Sequence, residues 1–372
     1  MSGTSLDGLD LALCHFAGWG TSLSWQVEKA VTIPYPAEIQ TELRTVFAQA
    51  QAGLEKICLL HARLGQWYAQ TVGDTLAAWD ISPQTLDAIA SHGQTIYHAP
   101  CHQHGQPKQP NASLQIGDAD RIAFQTGVIT LADFRQKHLA AGGEGAPLAV
   151  YGDYHLFFST SENRFLLNIG GIANFTYLPA GGKPTQIQYS DTGPGNTLID
   201  AAMRKWFAPS QYDENGQTAQ RGKINLPLLA QLKMQPFFAK PLPKTTGGEV
   251  FYLQWAESQA QRLSLGPILP EDWVATLSQL TIETVARAIQ ETALQGAVYV
   301  SGGGVHNRFL MEGLQRVLPD FNIRPLEALG VSSEAKEALL FAFLAYRTIR
   351  GDATDFGLGL PSVSFGKISL PY

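Results

Sequence analysis

Cysteine, charge and long apolar runs are all scarce in this sequence, and each shortage removes a class of protein. The three cysteines, Cys14, Cys58 and Cys101, are odd in number and widely spaced. They offer no disulfide framework and suit a reducing compartment, so a cytoplasmic protein is expected. Only 16% of the 372 residues are charged, against about 25% in an average globular chain. The net charge at pH 7 is -6, which leaves no basic footprint for a phosphate backbone, so nucleic acid is not an expected partner. The longest apolar run, residues 338–346, has the length of a buried helix segment and falls short of the ~20 residues that span a bilayer. Met1-Ser2-Gly3-Thr4-Ser5 lacks the basic and apolar regions of a signal peptide. No membrane partner is expected.

Familiar nucleotide signatures are missing too. None of Gly182-Lys183-Pro184, Gly222-Lys223-Ile224 and Gly366-Lys367-Ile368 has Ser or Thr after the lysine, so there is no Walker phosphate loop. Gly193-Pro194-Gly195 is followed by Leu198 where a dinucleotide fingerprint needs its third glycine. The triplet Asp355-Phe356-Gly357 has no His-Arg-Asp catalytic loop before it, which makes the protein-kinase match accidental.

What remains is a chain that is 45% hydrophobic and long enough for two lobes. Residues 9–16 read as a strand leaving a glycine-rich turn, and residues 36–47 and 54–79 as helices, the second with apolar positions at Ile57, Leu60, Leu64, Trp67, Tyr68, Val72 and Leu76. A strand at 86–90, a Pro/Gln/His-rich loop at 99–113, a strand near 114–116, a helix at 118–126 and a strand at 128–132 continue the alternation of an α/β protein. Glycine density rises at Gly142-Gly143-Glu144-Gly145, and the lobe boundary is placed there, dividing residues 1–140 from 141–372. The second part reads as strands at 164–169, 175–178 and 297–301 and helices at 198–207, 270–293, 307–318 and 334–349.

Three turns share one logic: Gly3-Thr4-Ser5-Leu6-Asp7-Gly8, the run Asn168-Ile169-Gly170-Gly171-Ile172-Ala173-Asn174, and Ser301-Gly302-Gly303-Gly304-Val305-His306-Asn307. In each, an apolar strand adjoins small residues, where backbone N–H groups can converge on phosphate oxygens. The third turn also opens a helix, whose N-terminus favours negative charge. Asp191, on the turn Ser190-Asp191-Thr192-Gly193-Pro194-Gly195-Asn196, is the best candidate for a group that accepts a nucleophile's proton, the lesser alternative being that it caps the next helix or shapes a turn. His92, His98, His102, His104 and Cys101 crowd together without the paired spacing of metal ligands, so no metal site is assigned and His92 is read as a pocket residue.

Taken in order, these segments resemble the 1,6-anhydro-N-acetylmuramic acid kinases of the sugar kinase, Hsp70 and actin superfamily. The resemblance also takes in His92-Gly93-Gln94-Thr95-Ile96, Gln115-Ile116-Gly117-Asp118, Asp133-Phe134-Arg135, Ala140-Ala141-Gly142-Gly143, Lys244-Thr245-Thr246-Gly247 and Glu337-Ala338. It implies a two-lobed actin-like ATPase (ribonuclease H-like) fold with a central mixed sheet in each lobe and an interlobe cleft for ATP and sugar, the last helix packing back on the N-terminal lobe. Gly3, Thr4, Ser5, Leu6, Asp7, Gly8, Leu9 and Asp10 would form the first phosphate loop, Gly170, Gly171 and Asn174 the second, and Gly302, Gly303, Gly304 and Asn307 the adenosine side. Asp191 would be the general base, with Glu337 helping to orient water. His92, Gly117, Asp118 and Arg135 would hold the sugar, the arginine fork suiting a lactyl carboxylate. Mg²⁺ would come with ATP.

The implied reaction is opening of the anhydro bridge by water and phosphorylation to N-acetylmuramic acid 6-phosphate, in peptidoglycan recycling and amino-sugar catabolism, by a possible homodimer. Lys137, His138 and Glu144 depart from the family pattern. A strand precedes the first turn in the family, so one is expected upstream of Met1. Two other readings stay open: a direct hexose or amino-sugar kinase, and a non-catalytic actin-like ATP-binding protein. The set Asp118, Arg135 and Asp191 favours an enzyme.

Overall fold

The computed structural model describes residues 1–3, 6–146, 148–247, 249–351 and 361–372. Thr4 and Ser5 of the first turn, and the triplet Asp355-Phe356-Gly357, lie outside the described residues. Contacts divide the chain into two units, Met1–Leu156 with Glu334–Tyr372, and Phe157–Ser333. The strands of the first are β1 (Gly8–Ala17), β2 (Ser24–Pro34), β3 (Ile89–Ala90), β4 (Gln94–Ala99), β5 (Ala112–Ile116) and β6 (Thr130–Ala132). Those of the second are β7 (Arg164–Ile169), β8 (Ile172–Leu178), β9 (Gln188–Pro194), β10 (Ala297–Ser301) and β11 (Ile323–Pro325); β12 (Lys367–Ser369) returns to the first.

In the first unit β1 and β2 form an antiparallel hairpin, Gly8 opposite Pro34 and Ala17 opposite Ser24, with a bulge at Leu13/Cys14. The sequence reading has no counterpart for β2. Its signal is a strict alternation in which Trp25, Val27, Lys29, Val31 and Ile33 face inward, and the lysine in that row disguises it. A mixed sheet joins β3 parallel and β12 antiparallel to β6, while β4 and β5 pair antiparallel. Residues 99–113, read as loop, contain a helical turn at Cys101–His104 and the start of β5. The long helix Leu54–Ala78 buries Leu60, Leu64, Tyr68 and Leu76, and its stripe closes a core with Leu9, Leu43, Ile96 and Ile116.

The helix Lys336–Arg350 belongs to this unit, with Phe16 stacked on Tyr346 at 5.2 Å and Phe343 beneath it. So does most of the helix Ala149–Phe157: Trp25 Nε1 donates to the Leu156 carbonyl at 2.8 Å, Tyr151 meets Phe365 edge-on at 4.8 Å, and Lys336 pairs with Asp153 at 3.3 Å. These contacts place the division after Leu156, beyond the glycine-rich stretch at 142–145.

The second unit has one five-stranded sheet in the order β11-β10-β7-β8-β9. Only β8 is antiparallel to its neighbours. Counted along the unit this is order 3-2-1-4-5 with the second strand reversed, the ribonuclease H-like pattern of actin-like ATPases. Its strands β7 and β10 are buried along almost their whole length, as expected of parallel strands covered on both faces. The helix Pro270–Glu291 is buried on most sides, Val274, Leu277, Leu280, Ile282, Val285 and Ile289 all having no exposed surface. Among the described residues no helix is long and apolar enough to cross a membrane.

Phe165 is fully buried where β7 meets Phe175 at 5.6 Å, Tyr177 at 4.8 Å and Phe321 at 6.0 Å. Replacing it with alanine is expected to cost about 3–5 kcal/mol in denaturant unfolding. A loss under about 1 kcal/mol would show that this ring does not hold the sheet's core.

Candidate active site

The sheet of the second unit brings its functional candidates to one edge. Ser301 of β10 is in register with Asn168 of β7, Asn168 with Asn174 of β8, and Asn174 with Asp191 of β9. Directly paired residues share a face, so four separate segments build one polar row. Just beyond it lie the turn at 170–171, the end of β9 and the turn at 302–304. These are the carboxyl ends of the parallel strands, where open α/β sheets bind ligands.

The turns are locked backbone to backbone. The N–H groups of Gly195 and Asn196 donate to the carbonyls of Gly171 and Gly170, both at 2.8 Å, and Asn196 Nδ2 donates to the Ile169 carbonyl at 2.9 Å. A Cβ at Gly195 would stand 2.2 Å from the Gly170 oxygen, and one at Gly302, where φ is +80°, 2.7 Å from the Ile169 oxygen. Those glycines serve packing. At Gly303 a Cβ would meet nothing nearer than Asn196 Nδ2 at 3.6 Å, and at Gly170 nothing nearer than 3.4 Å, so packing does not demand glycine there. A ligand approaching the backbone would. Asn307 is buried and caps the helix Arg308–Val317, its side chain accepting from Leu310 N–H at 3.1 Å.

Asp191 is half-buried. Its Oδ2 accepts the Thr246 N–H at 2.8 Å, and its own N–H donates to the Lys244 carbonyl at 2.9 Å. Burial pushes its carboxyl up to about 6, against the pull of the Thr246 N–H. The Thr246 hydroxyl beside it is buried with no hydrogen-bond partner among the described residues.

In the first unit, His92 is buried, with Nδ1 2.8 Å from the Gly93 carbonyl and Nε2 3.1 Å from Arg135 Nε. Since the guanidinium can only donate, Nε2 carries the lone pair and Nδ1 the proton. Burial and then the Arg135 charge hold this imidazole down to about 3, so it is neutral. The contact uses one of the five Arg135 donors. Glu337, in the first turn of its helix, keeps solvent access yet is enclosed by enough protein that its carboxyl is raised, with Asp10 adding repulsion. Arg135 in turn feels the Glu337 charge.

Asp118 has local partners: it caps the helix Ala119–Thr126 through Asp120 N–H at 3.0 Å and pairs with Arg121 at 3.1 Å. Gly117, at φ +119°, leaves room for the Tyr68 ring, 2.6 Å from where a Cβ would stand. The first turn is braced by groups the sequence reading left without a role. Gln94 Nε2 donates to the Gly3 carbonyl at 2.9 Å, Gln40 Nε2 to that of Leu6 at 2.8 Å, and Ser2 Oγ to that of Gly93 at 3.0 Å. Leu6 is buried at φ +57° and Asp7 is exposed, while Gly8 and Leu9 are buried and enter β1. Asp10 accepts from Thr32 Oγ1 at 2.6 Å, and burial raises its carboxyl. The departing residues have local partners: Lys137 donates to Ser364 Oγ at 3.1 Å, His138 Nδ1 accepts from Gly145 N–H at 2.9 Å, and Glu144 pairs with His102 at 3.0 Å.

The family model described as anhydro-N-acetylmuramic acid kinase matches residues 1–357. The chain belongs to that family. A relative from Pseudoalteromonas atlantica bearing this name is 46% identical over 378 residues, covering 100% of this chain and 94% of its own. One from Caldanaerobacter subterraneus subsp. tengcongensis is 37% identical over 379 residues, covering 100% and 96%. Among solved structures, the activator of the 2-hydroxyisocaproyl-CoA dehydratase from Clostridium difficile with bound ADPNP is 14% identical, with a TM-score of 0.35, over 66% of this chain and 89% of that one. Membership of a kinase family makes this an ATP-using sugar kinase, in line with the reading that favoured an enzyme.

For Asp191 a testable consequence follows from its raised carboxyl. A carboxyl raised in the folded state costs stability progressively as pH rises from its unfolded value of about 4 to about 6, the full cost being present above that and none below about pH 4. Asp191→Asn is therefore expected to raise the melting temperature at pH 7.5, the gain shrinking below pH 6 and vanishing near pH 4. A melting temperature lowered at pH 7.5 would contradict the burial argument.

Proposed function

We propose that this kinase uses ATP to open 1,6-anhydro-N-acetylmuramic acid with water and to phosphorylate the released oxygen. Asp191 takes a proton from a water molecule, whose oxygen bonds to the anomeric carbon as the bond from that carbon to the bridging oxygen breaks. The freed six-oxygen then bonds to the γ-phosphorus, and ADP leaves with the electrons of the broken phosphate bond. The products are N-acetylmuramic acid 6-phosphate, ADP and a proton. The observation that carries this reading is the polar row ending at Asp191, a carboxylate raised toward neutrality where a general base works best. Water held beside it would satisfy the unpartnered Thr246 hydroxyl.

The loops at 170–171 and 302–304 are assigned to the nucleotide on the exposed Gly171 and Gly303 and on the room beside Gly170 and Gly303, and the turn at 3–10 is assigned to its phosphates. Magnesium would neutralise charge on the transferring phosphoryl group. Such an ion keeps several waters and needs one or two carboxylates, which Asp7 and Asp10 could offer. Arg135, oriented by neutral His92, is assigned to the lactyl carboxylate, and Glu337 to orienting water. Gly117 and Asp118 are assigned to the same sugar subsite. The free thiols of Cys14, Cys58 and Cys101 suit a cytoplasmic location, and a homodimer is carried over from the family resemblance.

Incubation with ATP, Mg²⁺ and either the anhydro sugar or free N-acetylmuramic acid tests the reaction class. The 6-phosphate is expected from the anhydro sugar; its formation from the free sugar alone would make this a direct kinase, and none from either would support a non-catalytic ATP-binding protein. Asp191→Asn is expected to abolish turnover while ATP still binds, and retained turnover would remove it as the base.

The arginine assignment has its own test. Arg135→Met is expected to raise KM for the sugar about 10- to 100-fold, the loss of hydrogen bonds to a charged group, with KM for ATP unchanged. Equal effects on both constants would mean that Arg135 supports the fold and not the sugar.

A further inference from the structure

Lys244 is a buried cation that the reaction does not use. Only 7% of its surface is exposed. Its Nζ donates to the carbonyls of Phe238 at 3.4 Å and Lys240 at 3.3 Å and lies 5.0 Å from the centre of the Phe237 ring. Burying an ammonium against neutral partners is costly. The charged groups around it are Arg287 and Glu291 of the helix Pro270–Glu291, of opposite sign, with the ion pair of Lys233 and Glu283 lining the same cavity.

The backbone around that ammonium is tied to the candidate base. The carbonyl of Lys244 accepts Asp191 N–H at 2.9 Å. The Ser190 hydroxyl accepts Lys244 N–H at 3.0 Å and lies 3.2 Å from the Lys244 carbonyl. Two residues on, Thr246 N–H reaches the Asp191 carboxylate at 2.8 Å. Phe238, whose carbonyl the ammonium holds, packs its ring against the backbone of Gly193, 2.7 Å from where a Cβ would stand. Each link joins the segment at 237–246 to β9.

We infer that Lys244, with the Ser190 hydroxyl, is a positioning residue: it latches this segment so that the Thr246 N–H stays on the Asp191 carboxylate and sets the basicity of that group. The inference rests on the reading of Asp191 as the base. The influences on the Asp191 carboxyl are burial, which raises it, and the Thr246 N–H, which lowers it. Losing the donor therefore moves the ionisation to higher pH, by about one unit for one hydrogen bond to a charged group.

The test is the pH profile of kcat/KM for the anhydro sugar in the full chain, in Lys244→Met and in Ser190→Ala, each checked for folding by its thermal transition. The acid limb is expected to rise by about one pH unit in both variants. At pH 5 kcat/KM would fall about tenfold, with the plateau above pH 8 changed far less. A folded Lys244→Met with its limb unmoved overturns the inference, because a merely structural lysine would lower plateau and melting temperature together without moving the limb. If Lys244→Met does not fold, Ser190→Ala decides by the same criterion. Asp191→Asn separates the two readings. Full turnover there sinks the base assignment itself, whereas loss of turnover with an unmoved limb sinks only the role of Lys244.

Discussion

The chemistry proposed for the second unit depends on a backbone clamp: the N–H groups of Gly195 and Asn196 on the carbonyls of Gly171 and Gly170. It fixes the β7–β8 turn to the end of β9, so the register that aligns Asn168, Asn174 and Asp191 cannot slip without breaking two turns at once. A slip of one residue in either pairing would turn those side chains to the opposite face. Since the clamp is made of main chain, it needs glycine on sterics alone at Gly195, and the neighbouring turn needs it at Gly302 on sterics and φ. Gly170 and Gly303 of the same turns are uncrowded, which separates the glycines that build the site from those a ligand can approach.

The first unit solves the same problem with side chains. Ser2, Tyr68, Tyr35 and Gln94 form a buried chain of hydrogen bonds, 2.9 Å from Ser2 to Tyr68, 2.8 Å from Tyr68 to Tyr35 and 3.1 Å from Tyr35 to Gln94. Ser2 extends it to the Gly93 carbonyl and Gln94 to that of Gly3. Its three hydroxyls supply three protons for the four contacts from the Gly93 oxygen to the Gln94 oxygen. One contact must lack a proton in any arrangement, so the network is better suited to fixing geometry than to adding stability. It ties residues 2 and 3 to the start of β4.

Much of this was legible in the sequence because the informative residues are local. Each glycine turn follows or precedes an apolar strand, and the order of segments along the chain carries the family resemblance. The helix Pro270–Glu291 and strands β7 and β10 were readable from apolar periodicity for the same reason. What escaped was non-local. β2 is recognisable by alternation but carries Lys29 on its inward face. Tyr35, Tyr68 and Gln94 acquire meaning only when three distant segments meet, and Lys244 sits in a run quoted for resemblance alone. Asp118 illustrates the opposite: its residue type and motif point to a ligand, while its described contacts are those of a helix cap.

The position of Asp191 expresses a compromise that geometry alone would not reveal. A carboxylate in water is a poor base near neutral pH, and burial improves it by making the charged form less favourable. Burial carried further would leave it protonated and inert at the pH where it works. The Thr246 N–H pulls the other way, stabilising the charged form by an amount set by one main-chain contact of 2.8 Å. A main-chain donor suits that task better than a lysine or arginine side chain would. A full positive charge at the same distance would pull the carboxyl back toward its ordinary range and cancel the benefit of burial. The Lys244 ammonium is turned away onto the carbonyls of Phe238 and Lys240, while its backbone carbonyl meets the Asp191 N–H.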